Sequence, residues 1–188
     1  MSTGYQIKEQ DGLHYLTFQV VNGADIFSRS VYRDIVLDSF RYAMENKGFQ
    51  LFAYVIMSNH VHLIANSSIG DLSGTIRDIK KFTSKRIIDT INSMPESRRE
   101  WLLSVFSKAA SQHKRNSSYQ VWTHENHAVL LYSNDFIAEK IEYIHNNPVR
   151  AQIVQHAEDY LYSSARNYAG LSNYLKVDVL TLPAIIVK

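Results

Sequence analysis

The chain has 188 residues, a formal net charge of +2 and a hydrophobic fraction of 45%, enough apolar material for one folded core and short for two. It contains no cysteine, which excludes disulfides, zinc–thiolate centres and thiol nucleophiles. Residues 1–12 are polar and no apolar run approaches the ~18 residues of a membrane span, so neither secretion nor a membrane is expected, and a reducing cytoplasm fits.

Residues 14–21, HYLTFQVV, are rich in β-branched and aromatic side chains and predict a strand, closed by the turn-forming Asn22-Gly23 pair. Ser30 is placed to cap a helix whose apolar positions Tyr32, Ile35, Val36, Phe40 and Ala43 recur at helical spacing, with Gly48 to end it. Residues 49–57, FQLFAYVIM, form the most apolar run and predict a buried central strand. After the polar break Ser58-Asn59, residues 60–65, HVHLIA, predict a second strand, joined to the first so tightly that the two make an antiparallel hairpin.

Residues 71–93 predict a long helix with Leu72, Ile76, Ile79, Thr83, Ile87 and Ile91 as its buried stripe. A further helix is expected over 100–110, a polar loop over 112–118, a short strand over 119–123 and a better one over 128–132. Ser133-Asn134-Asp135 then reads as a cap for a helix from 136 to about 147, which Pro148 stops, because the residue before a proline is pushed out of the α region. This order predicts an α+β fold: a ferredoxin-like (RRM-like) antiparallel sheet with helices packed on one face, plus an inserted helix and a C-terminal extension. A single domain is expected, with its core over about 13–154 and an outer extension over 155–188.

Charge is uneven. Arg77, Lys80, Lys81, Lys85 and Arg86 meet a single acid, Asp78; a second basic group holds Arg98, Arg99, Lys108, Lys114 and Arg115; acids gather late, at Asp135, Glu139, Glu142, Glu158 and Asp159. Such a distribution draws phosphate to one face without a large total, although solvated helix faces would read the same way.

Two constellations can carry chemistry. His60 and His62 lie two apart on a strand, so they share a face roughly 6.5–7 Å apart at Cα while Val61 points into the core. Two imidazoles so arranged can converge on one divalent ion, or simply line a solvated sheet face. Tyr143 and Asn147 lie four apart in a helix, on one side, with Ile137, Ile141 and Ile144 as the anchoring stripe and Lys140 near the same line. Spacing alone does not separate Tyr143 from an ordinary tyrosine at a core margin.

These residues resemble a family. The run YVIMSNHVHLIA (54–65) is similar to the metal-binding strand of the HUH single-tyrosine transposases, and IEYIHNNPVRAQIV (141–154), followed by YSSARNY (162–168), is similar to the tyrosine helix and downstream signature of the REP-associated tyrosine transposases. The basic helix IRDIKKFTSKRI and the tail LKVDVL match in character, so the resemblance covers about 13–180. It implies a transposase-like enzyme that nicks and joins single-stranded or hairpin DNA. Tyr143 would be the nucleophile, and His60, His62 and Asn147 would hold Mg2+ or Mn2+. Arg77, Lys80, Lys81, Lys85, Arg86 and Lys140 would contact DNA. Asparagine at 147 marks the REP-associated branch, insertion-sequence relatives having glutamine there, whereas Tyr162 stands where tryptophan is usual.

The resemblance places the protein in a bacterial-type cytoplasm at the nucleoid. It leaves open a homodimer with the tyrosine supplied in trans or a chain that acts alone. The competing readings are a domesticated hairpin-binding protein without cleavage, a metal hydrolase acting without a covalent intermediate, and an RNA-binding module. The last fits poorly, since residues 48–56 read as buried rather than as a display of aromatics.

Overall fold

The computed structural model describes residues 7–112 and 118–181. Strand β1 (His14–Gln19), helix α1 (Ser30–Asn46), strands β2 (Phe49–Ile56) and β3 (His60–Ser67) and helix α2 (Leu72–Ser93) follow in chain order. After them come α3 (Arg99–Ser111), the two-residue strand β4 (Val129–Leu130), α4 (Asn134–His145) and the short helices α5 (Asn147–Arg150) and α6 (Ala165–Tyr168). Neighbouring strands are all antiparallel, in the order β2-β3-β1-β4, the order that two interleaved split β-α-β units produce. The α+β expectation holds.

Register fixes what each sheet face carries. Leu16 pairs with Leu63 and Phe18 with Val61, so these four point to one face, where all are fully buried. Phe40 of α1 meets Tyr54 of β2 there, and Lys80 of α2 lies over the Phe18 ring. Thr17 pairs with His62 and Gln19 with His60, so these point to the opposite face. Helices α1 and α2 cover the first face as expected; α4 departs from the one-sided arrangement and lies on the second, against β2 and β3. Each fully buried Leu, Ile or Phe in this double packing contributes roughly 1.5–3 kcal/mol of burial.

Caps explain most boundaries. Asp71 accepts from the Gly74 amide at the start of α2, and Ser133 accepts from the Phe136 amide at the start of α4, each satisfying an orphan donor of a first turn. Ser30 is the first residue of α1 rather than its cap; Arg29 takes the cap position without a side-chain bond. Gly48 ends the region with φ +60°, and a Cβ there would meet Ser68 Oγ at 2.7 Å, so only glycine makes this turn.

Three further expectations change. The apolar run of β2 is an edge strand of the sheet, not a central one; it is apolar because helices cover both its faces, and residues 162–164 close its edge. Ile56 N donates to Tyr162 O, Ser164 N to Tyr54 O and Asp178 N to Leu51 O, leaving no free edge along this strand to pair with another chain. The segment 119–123 makes one bridge, Val20 to Trp122, rather than a strand. The strand expected over 128–132 shrinks to Val129–Leu130, with His127 at φ +42° breaking the pairing just before it. The expected 112–118 loop falls mostly outside the described residues. Among those residues no helix is long and apolar enough to cross a membrane.

Candidate active site

Strand β3 presents His60 and His62 side by side with ring centroids 4.7 Å apart. Each ring is held by its Nδ1. His60 Nδ1 donates to Asn59 Oδ1 at 2.7 Å, and His62 Nδ1 shares hydrogen bonds with the Tyr15 hydroxyl at 2.8 Å and Thr17 Oγ1 at 2.9 Å. An imidazole oriented through Nδ1 in this way leaves Nε2 to face a ligand, the arrangement metal-binding histidines commonly use. Burial favours the neutral form of both rings, the form able to ligate an ion. Burial lowers His60 below the usual imidazole range, and burial, the His60 ring and the Arg150 charge lower His62 to about 3.

Helix α4 brings Tyr143 onto this pair from the same chain. Its ring meets His62 edge-on at 5.4 Å between centroids and Tyr15 at 6.2 Å. Ile141 and Ile144 are buried beneath the helix, whereas Tyr143 keeps 36% of its surface exposed, so the phenol stands at the boundary between packed face and solvent. Two cations flank the ring: the Arg150 guanidinium at 4.2 Å from its centroid and Lys140 Nζ at 5.9 Å. Tyr15 lies deeper, and burial raises its hydroxyl to about 12, so it stays protonated beside His62. Asn147 is buried at the start of α5, beyond the break that Asn146 makes between the two helices. Among the described residues no three His, Cys, Asp or Glu gather, so an ion on the two imidazoles would take further oxygen donors of another kind.

The basic helix lies across the sheet from this site. Arg77, Lys81 and Lys85 line a groove of about 890 Å³ between α2 and residues 118–126, with Trp122 in its wall. Lys80 is different. Its Nζ donates to Thr123 O and Asn126 Oδ1, both at 2.7 Å, and burial lowers its ammonium to about 8. That bonding reaches the site, because Asn126 O accepts from the amide of Thr17, the residue that touches His62. Arg86 sits apart from the groove, in a small hollow with Ile35, Asp38 and Phe82. In the second basic group, Arg98 pairs with Asp25 and Arg99 bonds the Ile91 and Met94 carbonyls, so both tie loops to helices. Lys114 and Arg115 lie outside the described residues.

Sequence reasoning missed Tyr15, Thr17, Asn59 and Arg150. Tyr15 and Thr17 carry a signal only once register is known, since alternation in residues 14–19 puts them on the face opposite Leu16 and Phe18. Arg150 stands in the NPVR segment, at the end of a helical turn that the proline begins.

The family model for IS200-like transposases matches residues 14–147 of this chain. Among solved structures, that of a REP-associated tyrosine transposase bound to a REP hairpin superposes with a TM-score of 0.64 at 18% identity, covering 100% of both chains. A crystal structure of a protein from Deinococcus radiodurans, provisionally described as a transposase, gives a TM-score of 0.43 at 16% identity over 78% of this chain and 97% of that one. No curated protein matches.

Proposed function

We propose, on the premise that this chain belongs to the family of IS200-like transposases, that it cuts and rejoins single-stranded DNA with Tyr143 as nucleophile beside a divalent ion. The carrying observation is the 5.4 Å approach of the Tyr143 ring to His62 within one chain. The approach lies within one chain, which supports a tyrosine working in cis.

The residues present fit a divalent metal. Two neutral imidazoles, each anchored through Nδ1, would supply nitrogen donors, and the Asn147 amide would add the oxygen donor that Mg2+ or Mn2+ favours. An ion held there would supply positive charge to a non-bridging phosphate oxygen. The chain's own groups do the rest. Arg150 and Lys140 place cations where the anionic phosphate arrives, and Tyr143 is oriented by its edge contacts with His62 and Tyr15.

In the first step the Tyr143 oxygen forms a bond to phosphorus, the bond from phosphorus to the 3′-oxygen breaks, the phenol gives up its proton and the departing oxygen takes one up. A 5′-phosphotyrosine and a free 3′-hydroxyl result. One ester replaces another, so a second 3′-hydroxyl can reverse the step at a new junction without ATP. The structure superposing over the whole chain holds a REP hairpin, and a hairpin with an unpaired flank is the substrate proposed here. Arg77, Lys81 and Lys85 would bind backbone phosphates along the α2 groove, where salt-dependent affinity arises.

Tyr143→Phe is expected to bind a labelled hairpin with an unpaired flank as the wild type does, and to form no covalent adduct on a denaturing gel. A variant that still cleaves would overturn the nucleophile. A wild type that binds but never forms an adduct would point to hairpin recognition without chemistry.

A further inference from the structure

We propose that Tyr132 and the face of α4 that follows it, as far as Tyr143, form a stacking track for the unpaired nucleotides that flank the scissile phosphate. The inference rests on the DNA-cleaving reading above and names where that substrate lies.

The starting observation is Tyr132. It is 83% exposed, more than any other large hydrophobic residue described, and stands just before the Ser133 cap of α4. Its ring lies 5.5 Å from Phe136, one helical turn on. Lys140, a further turn along, places Nζ 5.0 Å from the Phe136 ring, 5.7 Å from Tyr15 and 5.9 Å from Tyr143. Arg150 then covers Tyr143 at 4.2 Å. Phe136, Lys140 and Tyr143, four and three residues apart within α4, share one side of the helix, and Tyr132, just before its cap, packs against the first of them. Every link is a direct ring or cation–ring contact, so the line continues unbroken from a solvent-exposed tyrosine to the candidate nucleophile.

Rings interspersed with cations are the complement of a single strand, whose bases stack and whose phosphates need positive charge. Between residues 136 and 143 the helix rises about 10 Å, matching about two or three stacked nucleotides. The Lys140 ammonium is paired with Glu139 at 2.8 Å, but Glu139 is largely exposed, and an exposed pair of this kind yields readily to a phosphate. A tyrosine serving only as surface would have no reason to lead into this series. Trp101, by contrast, is exposed on α3, with Arg98 over its ring and no link to the site.

The test uses the full chain carrying Tyr143→Phe, with an oligothymidylate holding one 2-aminopurine as probe, in manganese at low salt. Binding is expected to quench the probe by stacking. Adding Tyr132→Ala is expected to weaken binding about tenfold and remove most of the quench, while Tyr132→Trp restores both. At 83% exposure the alanine variant loses no core contact. Phe136→Leu serves as a second variant expected to shift in the same direction. Equal affinity and equal quench with and without Tyr132→Ala, or no quench by the reference protein, overturns the track. Failure of the underlying reading looks different: the wild type then forms no adduct at Tyr143 while the quench still depends on Tyr132.

Discussion

At the scale of single residues, what singles out the histidine pair is its second ring of contacts. A bare His-x-His on a strand is ambiguous; here both Nδ1 atoms are already taken, by Asn59 and by Tyr15 with Thr17, which leaves Nε2 for the ion proposed above. Thr17→Val keeps the β-branched shape and removes one of the two hydroxyls that orient His62. The variant is expected to lose about 10–100-fold in manganese affinity, read by titration calorimetry, with a stability change of only about 1 kcal/mol. Unchanged affinity would mean that Tyr15 alone orients the ring. Strand and helix periods place the histidines, Tyr143 and Lys140 on their faces in the sequence, but only the family resemblance singled out Tyr143. Thr17, Tyr15 and Arg150 were not legible there, because their relevance comes from register and from a turn beyond a proline, which no local pattern encodes.

At the scale of elements, α4 is held where Tyr143 needs it by a clasp near its C-terminal end. His145 Nε2 meets Ser164 Oγ at 2.9 Å, and that hydroxyl also accepts from the Tyr54 amide. The imidazole packs edge-on against Tyr168 at 4.8 Å. Helix, strand β2 and the 162–164 segment therefore share one hydroxyl. Burial lowers His145 to about 4, so the folded chain keeps it neutral where the unfolded chain would protonate it. Its contribution is complete above pH ~6.5 and is lost as pH falls from there to about 4, at most roughly 3 kcal/mol. His145→Gln keeps a hydrogen-bonding side chain and removes the titration. Chemical denaturation across that window is expected to give a shallower loss of stability for the variant, and an unchanged pH slope would show that the histidine is not responsible.

Element prediction succeeded where the periods were long: α1, α2 and α4 and the β2–β3 hairpin fall within a few residues of their expected bounds. It failed for β2's place in the sheet. An apolar run reports that both faces are covered, and β2 is covered by α1 on one side and α4 on the other while its edge is closed by a segment more than 100 residues later. It also failed over 119–130, where backbone bonds to β1 are irregular and Lys80 Nζ bonds the Thr123 carbonyl and Asn126.

At the scale of the whole molecule, the sheet is a wall between two surfaces. One carries the imidazole pair, Tyr143 and the ring-and-cation line of α4; the other carries the groove edged by Arg77, Lys81 and Lys85. They are joined through the sheet by the Lys80–Asn126–Thr17–His62 series of hydrogen bonds, three links of 2.7–2.9 Å.

The most direct measurement is an anomalous-difference map from crystals of the full chain carrying Tyr143→Phe and soaked in manganese. One peak is expected at ligand distance from Nε2 of both His60 and His62, on the side of the sheet that α4 covers. A peak ligated elsewhere while both imidazoles are intact, or none at the pair, would contradict a metal and a tyrosine acting on one phosphate.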